Sequence, residues 1–205
     1  MLYIATLDEI KTVVGISDST DDSLLNLWLT ALQGRFETRC GRGLLYTSGV
    51  TELFDGGKSS LYPYRSPIDS VTTIHVSTDQ EWDADSLLEI DDYRIDYDRG
   101  RIVYGTSGLY SWPSGLQNIR VVYAGGLIKS DQSAAPNAKD ENVNALRDAY
   151  FYQAAYEWRN RERLGLADVS QNGVSVQAGS QPSLAKKGMT FLPVVEMALQ
   201  RLTKF

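Results

Sequence analysis

The feature that most constrains the fold is a double change in hydrophobic period along the chain. Apolar residues recur every three or four positions up to residue 43, and the sequence then breaks into short runs rich in β-branched and aromatic residues up to residue 127. Helical spacing returns after residue 142. A three-to-four-residue period is typical of amphipathic helices, and short β-branched runs of strands. The sequence therefore predicts an α+β protein with an antiparallel β domain inserted between N- and C-terminal helices.

Residues 1–43 predict two helices of a helical body. Thr6 and Glu9 have the spacing of a capping box, and Gly15 suits the left-handed position after a helix. The second helix is expected to end at Gly41 and to bury one stripe. That stripe consists of Leu24, Leu25, Trp28, Ala31, Leu32, Phe36 and Cys40.

Residues 44–127 predict the inserted β domain. Its strand-like runs are GVTELF, SLYPY, SVTTIHVS, DDYRIDYD, GRIVYG and NIRVVYAGG. Asp55-Gly56-Gly57 predicts a hairpin between the first two runs, and Asp98-Arg99-Gly100 predicts another between DDYRIDYD and GRIVYG. We therefore expect most of the strands to be antiparallel.

Residues 128–164 predict a polar linker followed by the longest helix, which Gly165 is expected to end. Its predicted buried stripe is Val143, Leu146, Tyr150, Ala154 and Trp158, widened by Ala149, Tyr152 and Tyr156. Terminal helices that are each apolar on one face must pack together to bury those faces. We therefore expect the N- and C-terminal helices to form one small bundle.

Residues 165–205 predict an extended C-terminal arm with a final helix. The segment 165–188 is rich in Gly, Ser, Gln and Asn, and VSV is its only β-like run. Such a composition predicts a segment that is mobile in the free subunit and ordered by a partner. Pro193 marks the start of the last helix. Its predicted apolar face is Val194, Val195, Ala198, Leu199 and Leu202.

The stretch FDGGKSS, residues 54–60, looks at first like a phosphate-binding loop. Such a loop needs a glycine at the position that Glu52 occupies, and a helix directly after it. Pro63 and Pro67 oppose a helix there. The sequence therefore predicts no nucleotide cofactor, and it predicts that Lys58 is an exposed turn residue.

No catalytic, cofactor-binding or metal-binding residue is predicted. The single cysteine, Cys40, falls on a buried helical stripe, and the single histidine, His75, lies among β-branched residues in a strand. The acidic residues between Asp79 and Asp98 lack the order of a calcium loop, and the serines lack a Gly-x-Ser-x-Gly elbow. An enzyme that uses two carboxylates remains an alternative, although their spacing identifies no pair.

The net charge of −6 argues against a surface dedicated to binding polyphosphates. The N-terminus lacks the basic region of a signal peptide, and no apolar run reaches eighteen residues. We therefore expect a protein made in the cytoplasm and without a membrane partner. Twelve tyrosines and four tryptophans suit either a protein interface or a strand-rich core.

The order of several motifs carries a resemblance to a known family. TLDEIKTVVGISDSTDDSLLNLWLTAL and RCGR are followed by TELFDGGKSSLYPYRSPIDSVTTIHV, DYRIDYDRGRIVY and IRVVYAGG. This order resembles the head-tail connector (adaptor) proteins of long-tailed bacteriophages, and it spans most of the chain.

The resemblance implies a structural virion protein that is not an enzyme. It implies a homo-oligomeric ring, expected to be twelvefold, that docks on the portal protein and joins the DNA-filled head to the next neck or tail-completion protein. The helical part would form the ring, residues 165–205 would face the portal, and DNA would only pass through the lumen. It further implies head completion in the host cytoplasm and a final location in the virion neck. A negative surface suits such a channel, because it does not hold the phosphates of DNA.

Two alternatives stay open at this point. The chain could be another neck or tail-completion protein, such as a stopper. The β domain could instead be a carbohydrate-binding module in which Trp82, Tyr110 and Trp112 line a sugar site.

Overall fold

The computed structural model describes residues 4–97, 99–105, 110–161, 169–171, 174–176 and 191–203. The helices are α1 (Leu7–Val14), α2 (Asp22–Cys40), α3 (Asp140–Arg159) and α4 (Pro193–Leu202), with a short 3-10 helix at Ile90–Asp92. The strands are β1 (Thr47–Phe54), β2 (Ser60–Leu61), β3 (Ile68–Val76), β4 (Tyr93–Asp96), β5 (Arg101–Tyr104), β6 (Ile119–Gly125), β7 (Val169–Gln171) and β8 (Val174–Val176). The predicted α+β class, with a β region inserted between terminal helices, is confirmed.

The described chain divides into two compact units. The β unit is Gly41–Val143, and the helical unit is formed by the described residues before Gly41 and after Val143. The segment expected to be a polar linker belongs to the β unit: Ile128 and Ala135 are buried, and the Ala135 amide donates to the Leu127 carbonyl at 3.0 Å. Burial of these few apolar side chains fixes a segment whose overall composition is polar.

Helix α1 has the predicted caps. The Thr6 side chain accepts from the Glu9 amide at 3.2 Å, and the Glu9 carboxylate accepts from the Thr6 amide at 2.9 Å. Gly15 adopts φ of 84°, and its amide donates to the Lys11 carbonyl. Lys11 also forms an ion pair with Asp22 at 2.8 Å, which joins α1 to the start of α2.

Helix α2 buries a narrower stripe than predicted. Its buried residues are Leu25, Leu29, Leu32, Phe36 and Cys40. The prediction was wrong for Leu24 and Ala31, which are exposed, and it missed Leu29. Residues at steps of three and four share one face, and residues 24 and 31 lie about 100° to the side of this stripe.

Helices α3 and α4 bury most of the predicted positions. On α3 the buried predicted residues are Val143, Leu146, Ala149, Tyr150, Ala154 and Trp158, whereas Tyr152 is exposed. On α4, Val195, Leu199 and Leu202 are buried, whereas Val194 is exposed. Helix α3 ends at Arg159, and Gly165, its predicted end, lies outside the described residues.

Aromatic side chains join the helices of the helical unit. The ring of Phe36 on α2 lies 5.4 Å from that of Tyr150 on α3, and 5.2 Å from that of Phe191, just before α4. Trp28 and Trp158 meet edge to face at 5.4 Å. Edge-to-face contacts are a favoured geometry for aromatic pairs. The predicted packing of N-terminal on C-terminal helices is therefore present.

Ion pairs surround this core. Arg35 on α2 pairs with Glu157 on α3 at 2.7 Å, and Arg39 on α2 pairs with Glu196 on α4. All four side chains are partly exposed, and such pairs are worth about 0–1 kcal/mol each. They fix the relative positions of the helices more than they add to stability.

The β unit contains two antiparallel three-stranded sheets, with strand orders β1-β6-β3 and β2-β5-β4. Strands β4 and β5 form the predicted hairpin, in which Gly100 has φ of 58°; Asp98 lies outside the described residues. The buried core of the unit contains Leu61, Ile68, Ile74, Tyr93, Ile102, Trp112, Ile119, Val121 and Tyr123.

The predicted hairpin between β1 and β2 was wrong. Strand β1 pairs with β6, and β2 pairs with β5. The intervening loop is held by distant residues, because the Gly56 amide donates to the Gly115 carbonyl and the Gly57 amide to the Trp112 carbonyl, each at 2.9 Å. These long-range bonds separate the two strands into different sheets.

Strands β7 and β8 pair antiparallel with each other. They include the VSV run of the sequence. The other residues of the segment 165–188, which was expected to be mobile in the free subunit, lie outside the described residues.

We expect Trp158→Ala to destabilise the full chain by about 3–5 kcal/mol, because Trp158 is 3% exposed and truncation leaves a cavity. Trp28 is only partly buried, so Trp28→Ala is expected to cost less, about 1–3 kcal/mol. Urea unfolding followed by circular dichroism measures both losses. Equal losses for the two variants would contradict the described difference in burial.

We expect Glu9→Gln to reduce the pH dependence of stability below about pH 4.5. Burial raises the pKa of Glu9, but hydrogen bonds from Thr6 and Arg147 outweigh it and hold the pKa below its usual value. Ionised Glu9 therefore stabilises the fold above its unfolded pKa of about 4.3, and this stabilisation is lost as the pH falls through the lower folded value. Urea unfolding curves recorded from about pH 3 to about pH 6, a range that spans the pKa values of a glutamate, measure this pH dependence. The exposed Glu81→Gln variant is the control, and a curve for Glu9→Gln that matches wild type would count against the role of Glu9.

Candidate interaction surfaces

The glycine-rich loop at residues 54–60 is built for packing against the chain itself. A Cβ added to Gly56 would lie 1.7 Å from the Pro113 carbonyl oxygen, and Gly57 has φ of 80°. The amides of both glycines donate to backbone carbonyls of the chain, so they do not form an anion cradle. Strand β2 follows the loop instead of a helix. Lys58 is exposed, as predicted.

The single histidine and the single cysteine are both buried. His75 in β3 is 8% exposed, and its Nδ1 lies 3.0 Å from the Ser86 hydroxyl. Cys40 is completely buried in the helical unit. The predicted burial of Cys40 is confirmed, and His75 lies in a strand with a hydrogen-bonding partner. Within the described ranges, no group of three or more His, Cys, Asp or Glu side chains could hold a metal ion.

The three aromatic residues proposed for a sugar site are not equivalent. Trp112 is 1% exposed within the core of the β unit, whereas Tyr110 is 64% exposed. Trp82 is half-buried, and the Arg120 guanidinium lies 5.2 Å from its ring centroid. Because Trp112 has no free face for a sugar ring, the three residues do not form a common stacking platform.

The acidic loop, residues 79–92, lies along the edge of the sheet β1-β6-β3. The Val76 amide donates to the Ser86 carbonyl and the Leu88 amide to the Ile74 carbonyl, each at 2.8 Å, so the loop continues along β3. The loop contains seven Asp and Glu residues and no Lys or Arg. Exposed charge of a single sign at a sheet edge is a surface suited to a basic partner.

Several of these carboxylates shape the acidic loop. Asp79 accepts hydrogen bonds from the Ser77 hydroxyl and the Glu81 amide, which hold the pKa of Asp79 below its usual value. Asp83 accepts from the Ser86 amide, and Asp92 from the Glu89 amide, each at 3.0 Å. The loop is therefore an ordered acidic surface.

A polar cleft of about 270 Å³ lies on the sheet β2-β5-β4. This arginine cleft is lined by Ser59, Ser60, Arg94, Asp96, Arg99, Arg101 and Val103. Arg94 and Asp96 alternate with Tyr93 and Ile95, which face the core, so they point to the outer face of the sheet.

Arg101 forms one wall of the arginine cleft. Its Nε lies 3.0 Å from Asp96 Oδ2, and its guanidinium donates to the Ser60 hydroxyl at 3.4 Å. Burial raises the pKa of Asp96, but the hydrogen bonds from Arg101 and from the Arg99 amide outweigh it and lower the pKa. Asp96 is therefore ionised near neutral pH and balances one of the three arginines.

Sequence reasoning missed the arginine cleft, although DYRIDYDRGRIV carries a signal for it. Arg94 and Asp96 are two residues apart in a strand and share a face. The tight hairpin then places Arg101 opposite Asp96. Only the pairing of β2 with β5, which the sequence does not reveal, brings Ser60 to the same cleft.

Exposed apolar side chains occur on all four helices of the helical unit. They are Val13, Leu24, Leu27, Tyr152, Val194 and Met197. Leu24 and Leu27 are three residues apart and therefore adjacent on the surface of α2. They form a small exposed apolar pair on this helix. The described helices include none that is both long and apolar enough to span a membrane.

The family comparison matches residues 4–78 to the model described as Phage gp6-like head-tail connector protein. This range includes α1, α2 and β1–β3. The resemblance predicted from the motifs is confirmed for this part of the chain. The match supports a structural neck or adaptor role in a phage-like particle.

Solved structures with a similar fold include a chain from the neck of an empty GTA particle computed with C6 symmetry. The two chains are 16% identical, the alignment covers 98% of this chain and 90% of that one, and the TM-score is 0.52. A chain from the neck of a native GTA particle computed with C12 symmetry is also 16% identical, with coverage of 100% and 96% and a TM-score of 0.48. No curated protein matches the sequence. At this identity, the first likeness is one of fold.

We expect Gly56→Ala to destabilise the chain by about 1–3 kcal/mol, because the new methyl group meets the Pro113 backbone and something must shift. Lys58→Ala, two residues away and exposed, is the control and should stay within about 0.5 kcal/mol of wild type. Thermal unfolding measures both changes. Saturable ATP binding by wild type that disappears in Lys58→Ala would contradict the packing role of this loop.

Proposed function

Because residues 4–78 match the gp6-like head-tail connector proteins, we propose that this chain is the subunit of an adaptor ring. The ring joins the head of a phage-like particle to its neck and tail. The family match is the observation that carries the proposal, and the fold shared with a GTA neck chain over 98% of this chain supports it. The role is mechanical and needs no catalytic group.

The ring is proposed to be homo-oligomeric. The GTA neck with the similar fold was computed with C6 symmetry, and such symmetry repeats a chain around an axis. A ring of this kind is built from head-to-tail contacts in which two different surfaces of each subunit meet. We expect twelve copies, which is a multiple of six, and native mass spectrometry would count them.

The proposed partners are the portal protein on the head side and the next neck or tail-completion protein on the tail side. DNA passes through the lumen without being bound, in keeping with the net charge of −6. Assembly is proposed to take place in the host cytoplasm, and the ring then stays in the virion neck.

The helical unit is proposed as the body of the ring, and residues 165–188 as the portal contact. Helix α4 packs on α2 through buried Val195 and Leu199 and through the ion pair between Glu196 and Arg39. Helix α4 is therefore part of the helical unit. The proposed portal contact is accordingly limited to residues 165–188 and no longer includes the final helix. That segment is rich in Gly, Ser, Gln and Asn, a composition that lets a chain adapt to the surface of a partner.

The second candidate within the same class is a stopper or tail-completion protein. It differs in which neighbour the subunit contacts first. An adaptor binds heads that carry only the portal, whereas a tail-completion protein requires the preceding neck ring.

We expect the full chain to co-sediment with DNA-filled, tailless heads that lack this protein. Replacing residues 165–188 by a Gly/Ser linker of equal length should abolish co-sedimentation while keeping α4 in place. Circular dichroism and unfolding curves must first show that the variant is folded.

Lys58→Ala is the matched control and should bind like wild type, because Lys58 is an exposed residue of the β unit. If the linker variant binds at the wild-type level, residues 165–188 are not the portal contact, but the adaptor role still stands. Failure of wild type to bind portal-bearing heads would contradict the adaptor role itself.

A further inference from the structure

We propose that the arginine cleft of one subunit binds the acidic loop of the adjacent copy in the ring. The inference rests on the proposed ring and names a contact within it. Each subunit carries both surfaces on its β unit, so one type of contact repeats from copy to copy.

The arginine cleft has a net positive charge, because three arginines and one aspartate line it. Arg101 is held by Asp96 and the Ser60 hydroxyl, which leaves Arg94 and Arg99. Both are exposed, and among the described residues neither guanidinium has an ion pair or a hydrogen bond. Planar guanidinium groups bind carboxylates with two parallel hydrogen bonds. The cleft is therefore suited to carboxylate side chains.

The acidic loop offers such carboxylates. Asp79, Asp83 and Asp92 accept hydrogen bonds within the loop, whereas Asp85 and Asp91 are exposed and make none of these bonds. Ile90, beside Asp91, is 69% exposed. An exposed isoleucine among carboxylates provides an apolar anchor for a protein contact.

The two surfaces lie on different parts of the β unit. The arginine cleft is on the outer face of the sheet β2-β5-β4, whose inner face is buried by Leu61, Tyr93 and Ile102. The acidic loop pairs along the outer edge of β3 in the sheet β1-β6-β3. A surface and its complement at different places on one subunit produce head-to-tail contacts, which close into rings.

Protein side chains fit the arginine cleft better than nucleic acid phosphates do. Tyr62, two residues after Ser60, and Tyr97, directly after Asp96, are 47% and 46% exposed. Exposed tyrosines are enriched in protein interfaces. The net charge of −6 further disfavours a nucleic acid partner.

Charge exchange in the full-length chain tests this contact. The cleft variant carries Arg94→Glu and Arg99→Glu, the loop variant carries Asp85→Lys and Asp91→Lys, and a third variant carries all four changes. Lys139→Glu is the control, because it reverses an exposed charge of the same unit outside both surfaces. Sedimentation velocity at ionic strengths from about 0.05 to 0.5 M measures self-association.

We expect wild type and Lys139→Glu to self-associate, and this association to weaken with salt. The cleft variant and the loop variant alone should each associate at least about tenfold more weakly, since like charges then meet. An equimolar mixture of the two, and the fourfold variant alone, should regain association, because opposite charges face each other again.

The inference is overturned if wild type stays monomeric throughout, if the cleft variant associates like wild type, or if neither the mixture nor the fourfold variant regains association. Binding of wild type to duplex DNA that the cleft variant loses would overturn it in favour of a nucleic acid site. In each of these cases, co-sedimentation of wild type with portal-bearing heads decides the adaptor role separately.

Discussion

The helical unit depends on the aromatic contact that joins residues from opposite ends of the chain. Phe36 lies between Tyr150 and Phe191, and the Tyr150 hydroxyl donates to the Leu29 carbonyl at 2.8 Å. Neither α1 with α2 nor α3 with α4 can bury its apolar face alone. The helical unit can therefore form only after the whole β unit has been synthesised.

The sequence predicts those parts of the fold that depend on neighbours along the chain. The capping box of Thr6 and Glu9 and the stripe of α3 follow from local spacing, and both are present. The β1–β2 hairpin was wrong because strand pairing depends on distant partners. Gly56 and Gly57 look like hairpin residues, yet they serve a loop that is anchored to Trp112 and Gly115.

The same limit applies to the candidate surfaces. The absence of a P-loop is predictable because Glu52 breaks a short motif. The arginine cleft is not predictable to the same degree, because three strands contribute to it and Ser60 arrives through the pairing of β2 with β5. The placement of Arg94 and Asp96 on one face can nevertheless be predicted, because side chains two residues apart in a strand such as β4 point to the same side of the sheet.

The distribution of tryptophan gives each unit its own optical reporter. Trp28 and Trp158 meet edge to face in the helical unit, whereas Trp82 and buried Trp112 belong to the β unit. Indole fluorescence responds to polarity and to nearby groups, so replacing one pair by phenylalanine leaves emission from the other unit alone. The two halves of this chain can thus be followed as separate chromophores, which would distinguish a single cooperative transition from two sequential ones.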